Sequence, residues 1–269
     1  MDALTRATAS GWLEERRPAV VVQVLQSQGS VPREPGTRML VARDRTAGTV
    51  GGGHLELQAI ARAREMLRTG ELNADSQVLP LGPALGQCCG GTVTLGYHAL
   101  DAAALAQWPV PAPLFELQLH GGGHVGRAVA TLLTTLNCQV DWIDERDDAF
   151  GPWSTLGTAW PSHIRRIAVD AVEAEVDRAR AGAFYLVLTH SHELDLRIMQ
   201  AILHRADFGF LGLIGSKTKR QRFLHRFERL GIPASLCSRI CCPIGVADIP
   251  GKAPEIVAVA VVAQLLAHC

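Results

Sequence analysis

The 269-residue sequence predicts an α/β protein with an N-terminal mixed α/β domain over residues 1–100 and a Rossmann-like domain with a parallel sheet over residues 114–269. Strand and helix patterns alternate along the second part, which is typical of βαβ units with helices on both faces of a parallel sheet. Three prolines within five positions precede it, and proline disfavours both helix continuation and central-strand pairing. We therefore place a linker at residues 101–113.

In the first domain, two apolar runs predict strands on either side of a loop rich in turn-forming residues. A helix follows the glycine turn at 51–53, because its apolar positions recur at helical spacing. The last predicted strand alternates between apolar and polar residues. In order, these elements are a short N-terminal helix, strands at 19–25 and 37–42, a helix after residue 53, and a strand at 92–97.

In the second domain, short apolar runs predict strands, and longer amphipathic runs between them predict helices. The predicted strands cover 115–119, 139–143, 183–188 and 208–214. The predicted helices cover 125–136, 171–181, 193–205, 217–230 and 254–267.

The composition is that of a globular protein, with 48% hydrophobic and 19% charged residues. Lysine plus arginine equals aspartate plus glutamate at 26 each, so the net charge does not point to nucleic acid or a membrane surface as a partner. The N-terminus lacks an apolar signal core, and the apolar run at 256–267 is shorter than the roughly 20 residues that span a bilayer. We expect a cytoplasmic protein.

Seven cysteines include two adjacent pairs, Cys88 with Cys89 and Cys241 with Cys242. An odd count with adjacent pairs is not typical of a disulfide framework, and reduced thiols fit the cytoplasm. The first pair stands between glycines, and glycine-rich loops lie on the surface. Three interpretations of this pair stay open: metal ligation, sulfur or redox chemistry, and a turn that happens to hold two cysteines.

A glycine motif, Gly121-x-Gly123-x-x-Gly126, directly follows the first predicted strand of the second domain. In a dinucleotide-binding turn, the first glycine permits the turn, the second lets the backbone approach a pyrophosphate, and the third lets helix and strand pack closely. Asp144 ends the next strand, where a carboxylate can bond a ribose hydroxyl. The motif predicts a Rossmann architecture. Binding of NAD(P) stays open, because one fold serves many functions.

Ligands of open parallel sheets bind outside the carboxyl ends of the strands, so four stretches should line one crevice: 120–126, 189–195, 214–222 and 241–245. They carry His124, His190, His192, Asp195, Ser216, Lys217 and Lys219. The basic helix that begins at Ser216 suits an anionic ligand, and an ordinary solvated helix is the alternative. No zinc-type spacing supports the two histidines at 190 and 192 as metal ligands.

Seven motifs in this order resemble the XdhC/CoxI family of xanthine dehydrogenase accessory proteins. The N-terminal motifs are "GSVPREPGTRMLV" (29–41), "GTVGGGHLE" (48–56) and "LGPALGQCCGG" (81–91). The later motifs are "HGGGHVGRAVA" (120–130), "THSHELD" (189–195), "LGLIGSKTKRQRF" (211–223) and "CCPIGVADI" (241–249) followed by "APEIVAVAVVAQLL" (253–266). The resemblance covers nearly the whole chain.

This resemblance implies a chaperone rather than a catalyst. Members of the family bind the molybdenum cofactor, support its sulfuration together with a cysteine desulfurase, and deliver it to xanthine dehydrogenase or a related molybdenum hydroxylase. It implies that Cys88 or Cys89 ligates the cofactor or holds sulfur near it. Arg33 and Arg38 are candidate partners for the cofactor's phosphate, since guanidinium matches phosphate geometry, with ordinary surface charge as the alternative. We expect a homo-oligomer.

Two other functions stay open. An NAD(P)-dependent oxidoreductase would use the glycine motif and Asp144, although no tyrosine–lysine or cysteine–histidine pair stands at a familiar catalytic spacing. A redox or zinc sensor would use the two cysteine pairs.

Overall fold

The computed structural model describes residues 3–81, 90–151 and 160–269, and the chain divides into two units, residues 1–112 and 113–269. Each unit has its own sheet, with five strands in the first and six in the second. Within the described residues, no helix combines the length and the apolar character needed to cross a membrane.

The first unit is built on an antiparallel sheet with the strand order β3-β2-β1-β5-β4. Its strands are β1 (Ala19–Gln28), β2 (Arg38–Ala42), β3 (Thr46–Gly48), β4 (Asp75–Pro80) and β5 (Thr92–Ala99). The two edge strands, β3 and β4, were not predicted because neither contains a run of apolar residues. β3 has only three residues, and Leu79 is the single buried residue of β4.

Three helices complete the first unit: α1 (Ala3–Glu14), α2 (Gly53–Thr69) and α3 (Ala102–Ala106). α2 packs one apolar stripe, including Leu55 and Ala59, on the face of the sheet that contains Val22. α1 covers part of the opposite face, where Trp12 packs in a cluster with Val21. The centre of the sheet, including most of β1 and β2, is therefore buried on both faces.

The segment predicted as a linker, 101–113, contains α3. Asp101 caps this helix by accepting a hydrogen bond from the amide of Ala104 at 2.7 Å. Trp108 is buried in the same cluster as α1. The two units divide between Ala112 and Pro113.

The second unit has a fully parallel sheet with the strand order β11-β10-β9-β6-β7-β8. Its strands are β6 (Glu116–His120), β7 (Gln139–Asp144), β8 (Ile164–Ala168), β9 (Phe184–Val187), β10 (Phe210–Leu213) and β11 (Ile240–Cys241). The chain adds β7 and β8 on one side of β6, and β9 to β11 on the other. This reversal is the topological switch point of a Rossmann-like sheet, and the predicted fold class is confirmed.

Helices cover both faces of this parallel sheet. They are α4 (His124–Leu133), α5 (His192–Arg205), α6 (Lys217–Arg229), α7 (Ala234–Ser238) and α8 (Pro254–Leu266). α4 and α8 pack on the face that contains Leu119 and Trp142, and α5 and α6 pack on the face that contains Val187 and Leu213.

The helix predicted at 171–181 is shorter and of a different type in the structure, because residues Val172–Arg178 form a 3-10 helix. Side chains of other elements occupy two of its carbonyl groups. Gln118 donates to the Glu175 oxygen at 2.6 Å, and Arg205 donates to the Val176 oxygen at 2.7 Å. These bonds compete with the amides that would extend an α-helix, and no local sequence pattern reveals them.

Candidate functional site

The turn between β6 and α4 depends on backbone contacts that exclude side chains. A Cβ on Gly121, whose φ is 122°, would lie 2.4 Å from the carbonyl oxygen of Leu188. A Cβ on Gly126 would lie 2.0 Å from the carbonyl oxygen of Gly121. Gly123 differs, because no atom lies within 4 Å of its Cβ position. The turn therefore packs closely at its first and third glycines and leaves open space at the second.

Asp144, at the end of β7, uses its carboxylate to hold this turn. It accepts from the Gly122 amide at 2.6 Å, from the Arg146 amide at 3.0 Å and from Arg146 Nε at 2.9 Å. Burial by itself would raise the pKa of Asp144, but the hydrogen bonds from Arg146 and Gly122 outweigh it and lower the pKa below its usual value. A ribose hydroxyl would compete with Arg146 for the same oxygens.

His120 is a buried titratable residue that the sequence analysis did not single out. It ends β6, is fully buried, and has Nε2 at 3.2 Å from the side-chain oxygen of Gln118. Burial lowers its pKa to about 3, so the imidazole is neutral at pH 7. The sequence signal that could have identified His120 is its position directly before the glycine motif.

The four stretches predicted to line a crevice follow β6, β9, β10 and β11, which are neighbours in the sheet. A buried ion pair joins two of them. Lys219 Nζ donates to Asp195 Oδ2 at 2.5 Å and to the Ile214 carbonyl at 2.9 Å. Asp195 also accepts from the Thr189 hydroxyl at 2.7 Å. The Lys219 side chain is 10% exposed and that of Asp195 is 0% exposed, so this buried pair ties the first turn of α5 to the first turn of α6.

A cavity of about 360 Å³ lies in front of this ion pair. His190, His192 and Arg222 line it, and all three side chains are exposed. Ser216 also lines it and caps α6 by accepting from the Lys219 amide at 3.2 Å. Lys217 is exposed and does not line the cavity, and His124 lies on α4, away from its lining. Of the predicted crevice residues, Asp195 and Lys219 thus form a structural pair, His190, His192 and Ser216 line a polar cavity together with Lys219, and Lys217 and His124 belong to neither group.

The second cysteine pair is partly buried. Cys242 is 8% exposed, and Cys241 Sγ accepts from Gln264 Nε2 at 3.2 Å. Burial raises the pKa of both thiols, which favours their protonated form. Reactive cysteines need the thiolate, so this geometry does not favour a redox role. Within the described ranges, no three His, Cys, Asp or Glu side chains form a group that could hold a metal ion.

In the first unit, loops from the three N-terminal motifs meet at one edge of the antiparallel sheet. A Cβ on Gly91 would lie 2.5 Å from the carbonyl oxygens of both Gln28 and Ser30. A Cβ on Gly51 would lie 2.4 Å from Cγ of Pro32. The loop after β1, the loop before α2 and the chain entering β5 are therefore in close contact.

Glu56, in the first turn of α2, holds the glycine loop of this edge. Its Oε2 atom accepts from the Thr49 hydroxyl, from the Val50 amide at 3.2 Å and from the Gly52 amide at 3.1 Å. One carboxylate thereby satisfies amides at the start of the helix, where negative charge is favourable.

The two candidate arginines of this edge differ in their surroundings. Arg38 is half-buried, donates to the side chain of Gln23 at 3.2 Å and to the Gly36 carbonyl at 3.1 Å, and lies 5.0 Å from the ring centre of Trp108. Arg33 is exposed and forms no hydrogen bond or ion pair with another residue that the structure describes. Arg33 is therefore available to a ligand, whereas Arg38 supports the loop.

Two of the predicted site residues, Cys88 and Cys89, lie outside the described residues, in the stretch 82–89. The described chain resumes at Gly90, next to the loop contacts of Gly91. Their predicted roles as cofactor and metal ligands stay predictions.

We predict that Asp195→Asn lowers the free energy of unfolding by about 3–5 kcal/mol, because it leaves the Lys219 ammonium buried without its counter-ion. Urea denaturation measures this change. Asp248→Asn, at an exposed position, serves as the control and should change stability by less than about 0.5 kcal/mol. Equal stability of the two variants would contradict the structural role of the pair.

We also predict an acid dependence from Asp144. Because its pKa is lower in the folded chain than in the unfolded chain, its contribution to stability is present above the unfolded pKa, about 3.9, and is lost as the pH falls through the folded pKa. The difference in unfolding free energy between the wild type and Asp144→Asn should therefore shrink between pH 5 and pH 2, measured by urea denaturation. A constant difference over this range would show that Asp144 does not titrate as the geometry requires.

Comparisons with known proteins identify the family to which this chain belongs. Residues 117–265 match the family model of the XdhC Rossmann domain, and residues 12–74 match that of the XdhC and CoxI family. The uncharacterized protein YqeB of Escherichia coli K12 is 27% identical over 274 residues, which cover 96% of this chain and 45% of YqeB. The chain therefore spans less than half the length of that relative.

A crystal structure of a xanthine dehydrogenase from Bacillus halodurans is similar with a TM-score of 0.74 and 18% identity, covering 100% of this chain and 96% of that one. At this identity the likeness concerns the fold. The XdhC Rossmann model alone matches more than half of the sequence. On this evidence, the chain belongs to the XdhC family.

Proposed function

We propose that this protein is a molybdenum-cofactor-binding chaperone that supports sulfuration of the cofactor and its insertion into xanthine dehydrogenase or a related molybdenum hydroxylase. Membership of the XdhC family supports involvement in xanthine dehydrogenase maturation. The finer proposal depends on one observation: the three N-terminal motifs meet at one edge of the first unit, where the described chain resumes directly after Cys89.

The backbone of this edge fits a large ligand that approaches closely. Among the described residues, none has an atom within 4 Å of the Cβ positions of Gly52 and Gly90, so a side chain there would fill space that a ligand could use. The tight contacts at Gly51 and Gly91, the neighbouring residues, fix the same two segments. The glycines thus combine a rigid backbone with an open surface.

The donor groups of the edge match the chemistry of the cargo. The cofactor is a pyranopterin that carries a phosphate and holds molybdenum through a dithiolene. Arg33, exposed and unpaired within the described residues, would contact the phosphate. Cys88 or Cys89 would supply a soft sulfur ligand or hold the sulfur that a cysteine desulfurase delivers. Arg38 and Glu56 would position the loops through the bonds already described.

A second candidate, an NAD(P)-dependent oxidoreductase, has one observation in its favour, the glycine turn between β6 and α4 with its open second glycine. Candidate proton donors for such chemistry are already engaged or buried. Lys219 is paired with Asp195, and burial raises the pKa of Tyr97 and of Tyr185 to about 12. The turn therefore supports nucleotide binding more than hydride transfer.

The chaperone proposal is tested by activation of cofactor-free xanthine dehydrogenase in the presence of molybdenum cofactor and a cysteine desulfurase. The wild-type chain should activate the enzyme, and the double variant Cys88→Ala/Cys89→Ala should activate it at least about tenfold less, because it lacks the soft sulfur ligands proposed for the cofactor. Cys269→Ala, which removes an exposed cysteine elsewhere, is the matched control. Equal activation by the double variant and the control, with both folded by circular dichroism, would overturn the proposed role of the pair.

A further inference from the structure

We infer that the cavity between the loops after β9 and β10 is a binding site for a phosphate monoester, with Arg222, His190 and His192 as its main contacts. This site is distinct from the glycine turn after β6, and it does not depend on the proposed chaperone function. The inference rests on the side chains that line the cavity and on their free hydrogen-bonding groups.

The charge of the lining favours an anion. Among the described residues that line the cavity, none carries a carboxylate. Lys219, which also lines the cavity, is paired with Asp195, whose side chain is 0% exposed and does not line it. The guanidinium of Arg222 forms no ion pair or hydrogen bond with another described residue, so it is available to a ligand. A free guanidinium beside two imidazoles gives a site with donors for several oxygens of one phosphate.

Two hydroxyl groups add neutral donors. Ser216 Oγ accepts from the Lys219 amide, which leaves its own hydrogen free to donate. Thr218 also lines the cavity, and its hydroxyl group has no hydrogen-bond partner among the described residues. The third hydroxyl, of Thr189, is already bonded to Asp195 and to the Ser191 carbonyl, so it holds the loop instead. The cavity therefore offers a guanidinium, imidazoles and hydroxyl groups as donors. Donors in several directions suit a tetrahedral phosphate better than a planar carboxylate, which one arginine can bind alone.

The size and position of the cavity favour a monoester over a free ion. Its volume of about 360 Å³ exceeds what a single phosphate fills, so room is left for the group that the phosphate is attached to. In the sheet, β9 and β10 lie on the opposite side of β6 from β7, which carries Asp144. Inorganic phosphate, a sugar or nucleotide phosphate, and the phosphate of a pterin share the chemistry that this cavity recognises.

Isothermal titration calorimetry of the full chain with ribose 5-phosphate, inorganic phosphate and ribose tests the inference, and no molybdenum cofactor is needed. We expect ribose 5-phosphate to bind more tightly than phosphate, and ribose not to bind. Arg222→Ala and the double variant His190→Ala/His192→Ala should each raise the Kd at least about tenfold. Arg226→Ala, four residues farther along α6 and outside the cavity, is the matched control and should leave the Kd unchanged.

Gly123→Val separates this cavity from the glycine turn. If the phosphate binds in the cavity, this variant keeps wild-type affinity for ribose 5-phosphate. Loss of binding in Gly123→Val with full binding in Arg222→Ala would place the anion at the glycine turn and overturn the inference. Absence of binding of both phosphates to the wild-type chain, or equal effects of Arg222→Ala and Arg226→Ala, would overturn it as well.

Discussion

Close approach of backbone to backbone at a few glycines is the constraint on which both candidate sites depend. Gly126 lies against the carbonyl of Gly121 in the second unit, and Gly91 lies between the carbonyls of Gln28 and Ser30 in the first. A single added carbon at Gly126 would push α4 away from the turn after β6. At Gly91 it would push the chain entering β5 away from the loop after β1. Because glycine permits these contacts, the loops crowd together at one edge of each sheet, and the polar side chains that they carry become neighbours.

Carboxylates then lock the crowded loops. Glu56 bonds the amides of the glycine loop before α2, Asp144 bonds the Gly122 amide, and Asp195 bonds Thr189 and Lys219. From the sequence alone, acidic residues beside glycine turns and strand ends would be interpreted as ligand contacts or catalysts. In the structure, backbone amides and cations of the chain itself occupy their oxygens. The groups left for ligands are the unpaired cations and open backbone, such as Arg33, Arg222 and the surface beside Gly90.

Most of the parallel sheet could be predicted, because β6, β7, β9 and β10 are short runs rich in apolar residues that alternate with helices. Elements without such a pattern could not: β4 is largely exposed, β8 has two exposed arginines at its centre, and β11 has only two residues. The 3-10 form of 172–178, whose carbonyls accept from Gln118 and Arg205, also lacked a local signal. The close packing at Gly121 and Gly126 followed from the motif. The pairing of Lys219 with Asp195 joins residues 24 positions apart on different helices, α6 and α5, and no local spacing encodes it.

The central claim is that the glycine-rich edge of the first unit binds the molybdenum cofactor. The most direct measurement is anaerobic incubation of the full chain with the cofactor, then gel filtration with molybdenum and oxidised pterin quantified in the protein peak. We predict near-stoichiometric retention by the wild type and by Gly11→Val on α1, and at least about tenfold weaker retention by Gly90→Val, whose side chain would enter space that no other described residue occupies. Absence of cofactor from the wild-type peak, or equal retention by both variants, would contradict it.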